Sequence, residues 1–202
     1  MKRINLFHPR VFTDQDWADG YYKRNKNSIT RMGTRFVELL QQAGFQGGRI
    51  LDAGCGFGTM AVLLAEAFPE SEISGIDLSL PLLLRAKELA ETHKVADRVS
   101  FDTGDVEQMD FETDSFDLVI NAFMLHIVES PLAMLNEIER VTHPEGRVMI
   151  TDLRRIWLGR FVKKLRCSYT LTEAVSIIEE STLRPGKGAK GPFWLDYFVG
   201  IH

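Results

Sequence analysis

With 202 residues, 45% apolar and 26% charged, the chain has the composition of one globular domain and is long enough to bury roughly 70% of its unfolded surface. No apolar run approaches the roughly 18 residues of a membrane span, and the basic start lacks the apolar stretch of a signal peptide, so a cytoplasmic location is expected. A net charge of −4, with no nucleic-acid-binding module in view, argues against DNA and structured RNA and for a small-molecule partner.

That charge is unevenly spread. Residues 20–37 hold five basic side chains (Lys23, Arg24, Lys26, Arg31, Arg35) and no acid. Residues 153–172 hold six (Arg154, Arg155, Arg160, Lys163, Lys164, Arg166), again with no acid. Cys55 and Cys167 are too few and too far apart for a zinc site, and the five histidines form no i, i+4 pair. Two free thiols and no metal are expected.

In chain order, Ser28 is placed to cap a helix in which Ile29, Met32, Phe36, Leu39, Leu40 and Ala43 recur at helical spacing, ended by Gly44. Residues 49–52 read as a strand, followed by a glycine loop and a helix from 59 to 68 that Pro69 stops. A strand at 72–77 precedes a helix opened by Ser79 and Pro81 and running to His93. Strands at 99–103 and 116–121 follow, then a helix from Ser130-Pro131 to Val141 and a strand at 146–151. Beyond it the pattern loosens. A helix is expected over 172–181, a glycine- and proline-rich stretch at 184–192 makes a poor central strand, and 193–199 reads as a last strand. Strands alternating with helices imply an α/β fold, a parallel sheet covered on both faces.

Chemistry concentrates in Leu51-Asp52-Ala53-Gly54-Cys55-Gly56-Phe57-Gly58. A glycine loop between strand and helix lets backbone N–H groups approach a ligand. It is no P-loop, because no Gly-Lys-Ser/Thr follows. Gly56-Phe57-Gly58-Thr59-Met60-Ala61 does fit the permissive dinucleotide pattern, but Asp52 would then stand beside a pyrophosphate. A carboxylate there suits a ligand carrying an ammonium and a sulfonium. Asp77 lies 19 residues after Gly58, near the spacing of about 20 at which an acid accepts from a ribose diol. Asp105 follows the third strand, placed to accept from an adenine amino group, and Asn121 ends the fourth over the same carboxyl edge.

These four segments, Leu51–Gly58, Gly75-Ile76-Asp77-Leu78-Ser79, Gly104-Asp105-Val106 and Phe116–Asn121, together resemble class I S-adenosylmethionine-dependent methyltransferases. The likeness is greatest to the branch that includes ubiquinone and menaquinone C-methyltransferases and other small-molecule enzymes. It covers residues 35–152 well and the tail loosely. The resemblance implies a Rossmann-like, doubly wound sheet of seven strands, mostly parallel with the last antiparallel. In one domain, residues 1–45 would be a helical cap, 46–152 the cofactor-binding core, and 153–202 the C-terminal helix and last strands. It further implies that Asp52, Gly54, Cys55, Gly56 and Gly58 serve the methionine part of S-adenosylmethionine. Asp77 would take the ribose, Leu78 the adenine face, Asp105 and Val106 the adenine edge, with Asn121 near the sulfonium.

The sequence departs from the family at Glu145, which stands where a glycine is usual, so a type I turn is expected over 142–146. Asn121-Ala122-Phe123-Met124 lacks the Asn/Asp-Pro-Pro-Tyr signature of methyltransferases that act on adenine or glutamine amino groups. Tyr21 and Tyr22 read as a lid or as ordinary packing, and His126 as a general base or a packed histidine. Tyr22 and His126 are the weaker, substrate-facing candidates. In 156–165, Trp157, Leu158, Phe161, Val162 and Leu165 recur at helical spacing with Arg160, Lys163 and Lys164 outside the stripe, as in a basic amphipathic helix that lies on a membrane or packs as a lid. An anionic or lipid-like acceptor is the expectation. A non-catalytic adenosyl-ligand-binding protein and a nicotinamide-dependent oxidoreductase are the competing readings.

Overall fold

The computed structural model describes residues 3–4 and 13–201. Seven strands form one sheet: β1 (Arg49–Ala53), β2 (Glu72–Asp77), β3 (Val99–Thr103), β4 (Phe116–Ala122), β5 (Thr142–Leu153), β6 (Lys187–Lys190) and β7 (Trp194–Val199), in the order β3-β2-β1-β4-β5-β7-β6. The first five pair in parallel, and β7 runs antiparallel to both β5 and β6. Among the described residues six α-helices accompany it: α1 (Gln15–Gln42), α2 (Thr59–Ala67), α3 (Leu80–Thr92), α4 (Pro131–Val141), α5 (Lys163–Cys167) and α6 (Leu171–Glu180).

The central strands are apolar on both faces because helices cover both. Ile50, Leu118, Ile120 and Met149 face Phe36 and Leu40 of α1, Leu64 of α2 and Leu83 of α3. Their alternates Leu51, Val119, Val148 and Ile150 face Met134 and Ile138 of α4 and Ile178 of α6. The strand order reverses direction between β1 and β4, which opens a crevice at the carboxyl ends of those strands.

Local signals account for most boundaries. The Ser130 hydroxyl accepts the Ala133 N–H, with Pro131 in the first turn of α4. Thr170 and Glu173 form a reciprocal capping box that starts α6 at Leu171, one residue before the expected start. The glycine-rich β6 is a short, exposed edge strand, the place a sheet tolerates such a sequence.

Three expectations are corrected. Ser28 caps nothing; it lies exposed inside α1, which begins at Gln15 with Asp14 accepting the Trp17 N–H at 3.0 Å. The added turns contain Gly20, Asn25 and Asn27, poor helix formers, and are held by Ala18, Tyr21 and Tyr22 packing on Phe57 and Leu82. The expected turn at 142–146 is an irregularity within β5: pairing passes from Phe116–Thr142 to Leu118–Arg147, so residues 143–146 bulge out while Glu145 avoids positive φ. Residues 157–167 are not one amphipathic helix but a 3₁₀ turn (Trp157–Arg160) followed by α5, with Leu165 and Cys167 buried.

The long α1 is tied to the sheet by Arg35, whose guanidinium donates to the buried Asp196 of β7 at 2.5 Å. Asp196 also accepts the Thr151 hydroxyl at 2.8 Å. Asp196→Ala takes the carboxylate acceptor from the Arg35 guanidinium and leaves the buried Thr151 hydroxyl only its longer contact to the Leu195 carbonyl at 3.1 Å. It is expected to lower unfolding free energy by about 2–3 kcal/mol in urea titrations, whereas Glu38→Ala on the exposed face of α1 changes it by less than about 0.5.

Candidate functional site

A cavity of about 370 Å³ lies over the carboxyl ends of β1, β2 and β4, under the N-terminal half of α1. The loop after β1 forms its floor. Gly54 and Cys55 both donate their backbone N–H to the Ile76 carbonyl at 2.9 Å, folding the loop against the end of β2. Gly56, at φ 54°, has open space where a Cβ would stand, so its backbone is bare toward the cavity. Gly58, at φ 75°, caps α2, and a Cβ there would meet Ala86 and Phe101 at 2.7 Å. One glycine thus clears ligand space and the other permits close packing of helix on sheet.

Gly58 has no side chain with which to cap α2, and Asp52 makes up for it from β1. Its carboxyl group accepts the N–H of Ala61 in the first turn of α2. The other oxygen, Oδ2, is buried without a hydrogen-bond donor, and Asp52 lines the cavity at 1% exposure. Burial, then the charge of Asp77, push its pKa up to about 7. Asp77, at the end of β2, accepts from Gly56 N–H at 2.9 Å and Ser79 N–H at 2.8 Å. Burial still raises its pKa, with those N–H groups acting in the opposite sense.

The remaining wall comes from three further loops. Asp105 is exposed at the rim and accepts the Glu107 N–H; Val106 is buried beside it. Glu107 in turn accepts from the N–H groups of Glu129 and Ser130 at 2.6 and 3.1 Å, binding the loop after β3 to the loop after β4. That second loop supplies Phe123, Met124, Ile127 and Val128. Phe123 adopts φ 63°, uncommon for a bulky side chain, held by its N–H donating to the Thr151 carbonyl at 2.8 Å. From α1 come Tyr21 and Ile29.

Eight of the sequence-derived residues meet here: Asp52, Gly54, Cys55, Gly56, Asp77, Leu78, Asp105 and Val106 line one cavity. Four stand outside it. Gly58 packs behind the loop. Asn121 is fully buried, its Nδ2 donating to the Ala53 carbonyl at 2.9 Å, so it ties β4 to β1. Tyr22 turns edge-on to Phe57, centroids 5.0 Å apart, and Tyr21 is the neighbour that reaches the wall. His126 is buried with Nδ1 2.5 Å from Asp152 Oδ1, and its backbone N–H donates to Oδ2, which pins the loop after β4 to the end of β5. The Cys55 thiol is pushed well above its ordinary pKa by burial and then by Asp52 and Asp77, which leaves it a protonated, inert filler.

Sequence reasoning missed the apolar wall of Phe57, Met60, Phe123, Met124, Ile127 and Val128 and the clamp Glu107. The wall residues read as ordinary core, and only their position at the sheet's carboxyl edge, in loops or, for Met60, in the first turn of α2, marks them. Taken whole, the lining carries five carboxyl groups (Asp52, Asp77, Asp105, Glu107, Glu129) and, among the described residues, no lysine, arginine or histidine. Among the described residues no group of three His, Cys, Asp or Glu is arranged to hold a metal.

The Asp52 shift predicts how stability depends on pH. With the folded pKa near 7 and an unfolded value of 3.8, the unfolded chain gives up this proton first, so the contribution to stability falls as pH rises from about 4 to about 7 and is level above. The isosteric Asp52→Asn removes that slope. The variant should match the parent near pH 4 and exceed it above pH 7 by up to roughly 4 kcal/mol, read as a difference between urea titrations across pH.

Residues 45–183 match a family described as a methyltransferase domain. Malonyl-[acyl-carrier protein] O-methyltransferase of Legionella pneumophila is 33% identical over 132 residues, 65% of this chain and 45% of that protein. Demethylmenaquinone methyltransferase of Lactiplantibacillus plantarum is 29% identical over 150 residues, 68% of this chain and 63% of that protein. The chain spans about half the length of the curated relatives it matches. Among solved structures, an S-adenosylmethionine-dependent methyltransferase from Aquifex aeolicus superposes with a TM-score of 0.76 at 19% identity, over 93% of this chain and 98% of that one, and shares the fold.

Proposed function

The chain belongs to this methyltransferase family, and we propose that it is an enzyme that transfers a methyl group from S-adenosylmethionine to a small-molecule acceptor. The cavity lining carries the reading: the buried Asp52 and its neighbour Asp77 at the floor, with Asp105 at the rim, favour a ligand of net positive charge and repel a pyrophosphate. That disfavours a nicotinamide dinucleotide.

The residues present fit the donor. Asp52 Oδ2, buried without a donor, is matched by an ammonium group. Asp77 accepts the N–H groups of Gly56 and Ser79, with that of Leu78 also turned toward it, and its remaining acceptor capacity would serve the ribose hydroxyls. Asp105 and Val106 would border the adenine, with Leu78 against its face. The open side of Gly56 leaves backbone room for the methionine portion. When bound, S-adenosylmethionine supplies a methyl group already activated for transfer. The protein's part is then positioning and exclusion of water, which together can lower a barrier by roughly 7–11 kcal/mol. Tyr21 and Ile29 close the cavity from α1, and Phe123, Met124, Ile127 and Val128 give the side toward β4 an apolar wall. Such a wall suits an apolar, lipid-like acceptor, and the basic segments outside suit one with an anionic end.

Calorimetry on the full chain is expected to show binding of S-adenosylhomocysteine and S-adenosylmethionine and none of NAD. Gly56→Val, which fills the open side of the loop, should weaken it at least tenfold. Because a cation beside Asp52 requires its ionised form, affinity should fall roughly tenfold per unit below about pH 7, and Asp52→Asn should lose both affinity and that slope. Preference for NAD, or full affinity in Gly56→Val, refutes the assignment. Once an acceptor is in hand, Lys163→Glu with Lys164→Glu should raise its KM while leaving cofactor affinity unchanged; an unaltered KM at low salt removes the anionic end from the acceptor description.

A further inference from the structure

The segment between β5 and α6 displays a surface that the cavity's chemistry does not use. Trp157, Phe161 and Val162 are 71%, 79% and 45% exposed, while Leu165 and Cys167 of the same segment are buried and anchor it. Single exposed hydrophobes are ordinary, but a tryptophan, a phenylalanine and a valine together are a patch. Arg160, Lys163 and Lys164 lie among them, exposed and without an ion-pair partner among the described residues. Arg154 and Arg155, in the same acid-free run, are committed elsewhere. Arg154 donates to the carbonyls of Gly191 and Pro192, and Arg155 pairs with Glu173. The uncommitted cations, which include the exposed Arg166 of α5, are therefore the ones in the segment that carries the exposed apolar side chains.

The patch adjoins the lid. Lys164 Nζ lies 5.7 Å from the ring centroid of Tyr21, which lines the cavity. One turn earlier on α1 stands Trp17, 65% exposed.

We infer that this segment docks the protein on an anionic lipid bilayer. Trp157 and Phe161 enter the boundary between headgroups and acyl chains, and Arg160, Lys163 and Lys164 meet the lipid phosphates. Aromatic side chains with a polar or planar face favour that boundary, and clustered basic residues are drawn to anionic headgroups. The rest of the molecule enforces the orientation. With a net charge of −4 overall, an acid-free basic segment is the one an anionic surface accepts. Docked this way, the lid over the cavity faces the bilayer, and an acceptor dissolved in the membrane has a short path to the apolar wall. That last step rests on the methyltransferase reading; the docking itself does not.

Vesicle flotation of the full chain tests it, using phosphatidylcholine vesicles with and without phosphatidylglycerol. S-adenosylhomocysteine affinity is measured on the same samples. Flotation is expected only with phosphatidylglycerol, to be lost at high salt, and to bring a blue shift and quencher protection of tryptophan emission that Trp157→Ala removes. Trp157→Ala with Phe161→Ala should reduce partitioning at least tenfold without changing S-adenosylhomocysteine affinity, which also certifies the fold. The proposal is overturned by flotation indifferent to phosphatidylglycerol or undiminished in the double variant. It is equally overturned by salt-sensitive binding to a tRNA or duplex pool that exceeds binding to vesicles, or by a dimer that these substitutions abolish. Failure of the parent chain to float with phosphatidylglycerol while it binds S-adenosylhomocysteine refutes the surface alone; docking of the parent chain without cofactor binding refutes the methyltransferase reading alone.

Discussion

Asp52 and Asp77 stand at the carboxyl ends of adjacent strands, both buried, neither paired with a cation among the described residues. Two carboxyl groups so placed raise each other's cost of ionisation on top of the cost of burial. The surrounding structure is arranged to bear that cost. Backbone N–H groups of Gly56 and Ser79 converge on Asp77, and the first turn of α2 turns an N–H toward Asp52. What stays unsatisfied is one oxygen of Asp52, facing a cavity with no positive charge of its own among the described residues. A site that is destabilising when empty and complementary to a cation is the usual form of a stability cost concentrated at function.

The core makes that cost bearable. Both faces of the sheet are closed by helices, with Leu118 and Ile120 committed to one side and Val119 to the other. The loops at the carboxyl edge are secured to one another by carboxylates that accept backbone N–H groups. Glu107 holds the loop after β4, and Asp152 holds the same loop through His126. These acids serve as staples, and their service explains why so many carboxyl groups gather at one edge without all being ligand groups.

The long α1 divides into two parts with different physics. Its C-terminal half is core, with Phe36 and Leu40 fully buried and Arg35 locked to Asp196. Its N-terminal half rests on Tyr21 and Tyr22 against Phe57 and on the half-exposed Asp19–Arg85 pair at 3.0 Å. An exposed pair contributes little, so among the contacts of the described residues this end is held mainly by aromatic packing.

Sequence alone determined the order of strands and helices in the core, because burial on both faces demands continuous apolar strands and caps announce themselves locally at Ser130 and the glycine loop. It also picked out residues that line one cavity: Asp52, Gly56, Asp77 and Asp105 are polar or small where an apolar fold has no use for them, and so are visible without neighbours. The start of α1 was not legible, because residues 15–27 have weak helix propensity and are helical by virtue of Phe57 and Leu82, far along the chain. Nor could the periodicity at 157–165 reveal a broken helix, since the pattern of a stripe is the same whether or not the backbone turns within it. The apolar wall, the inward pairing of His126 with Asp152, and the choice of Tyr21 over Tyr22 were left to tertiary structure. Those side chains are of types that serve equally well as core, and only the direction each one faces after folding distinguishes a wall from its backing.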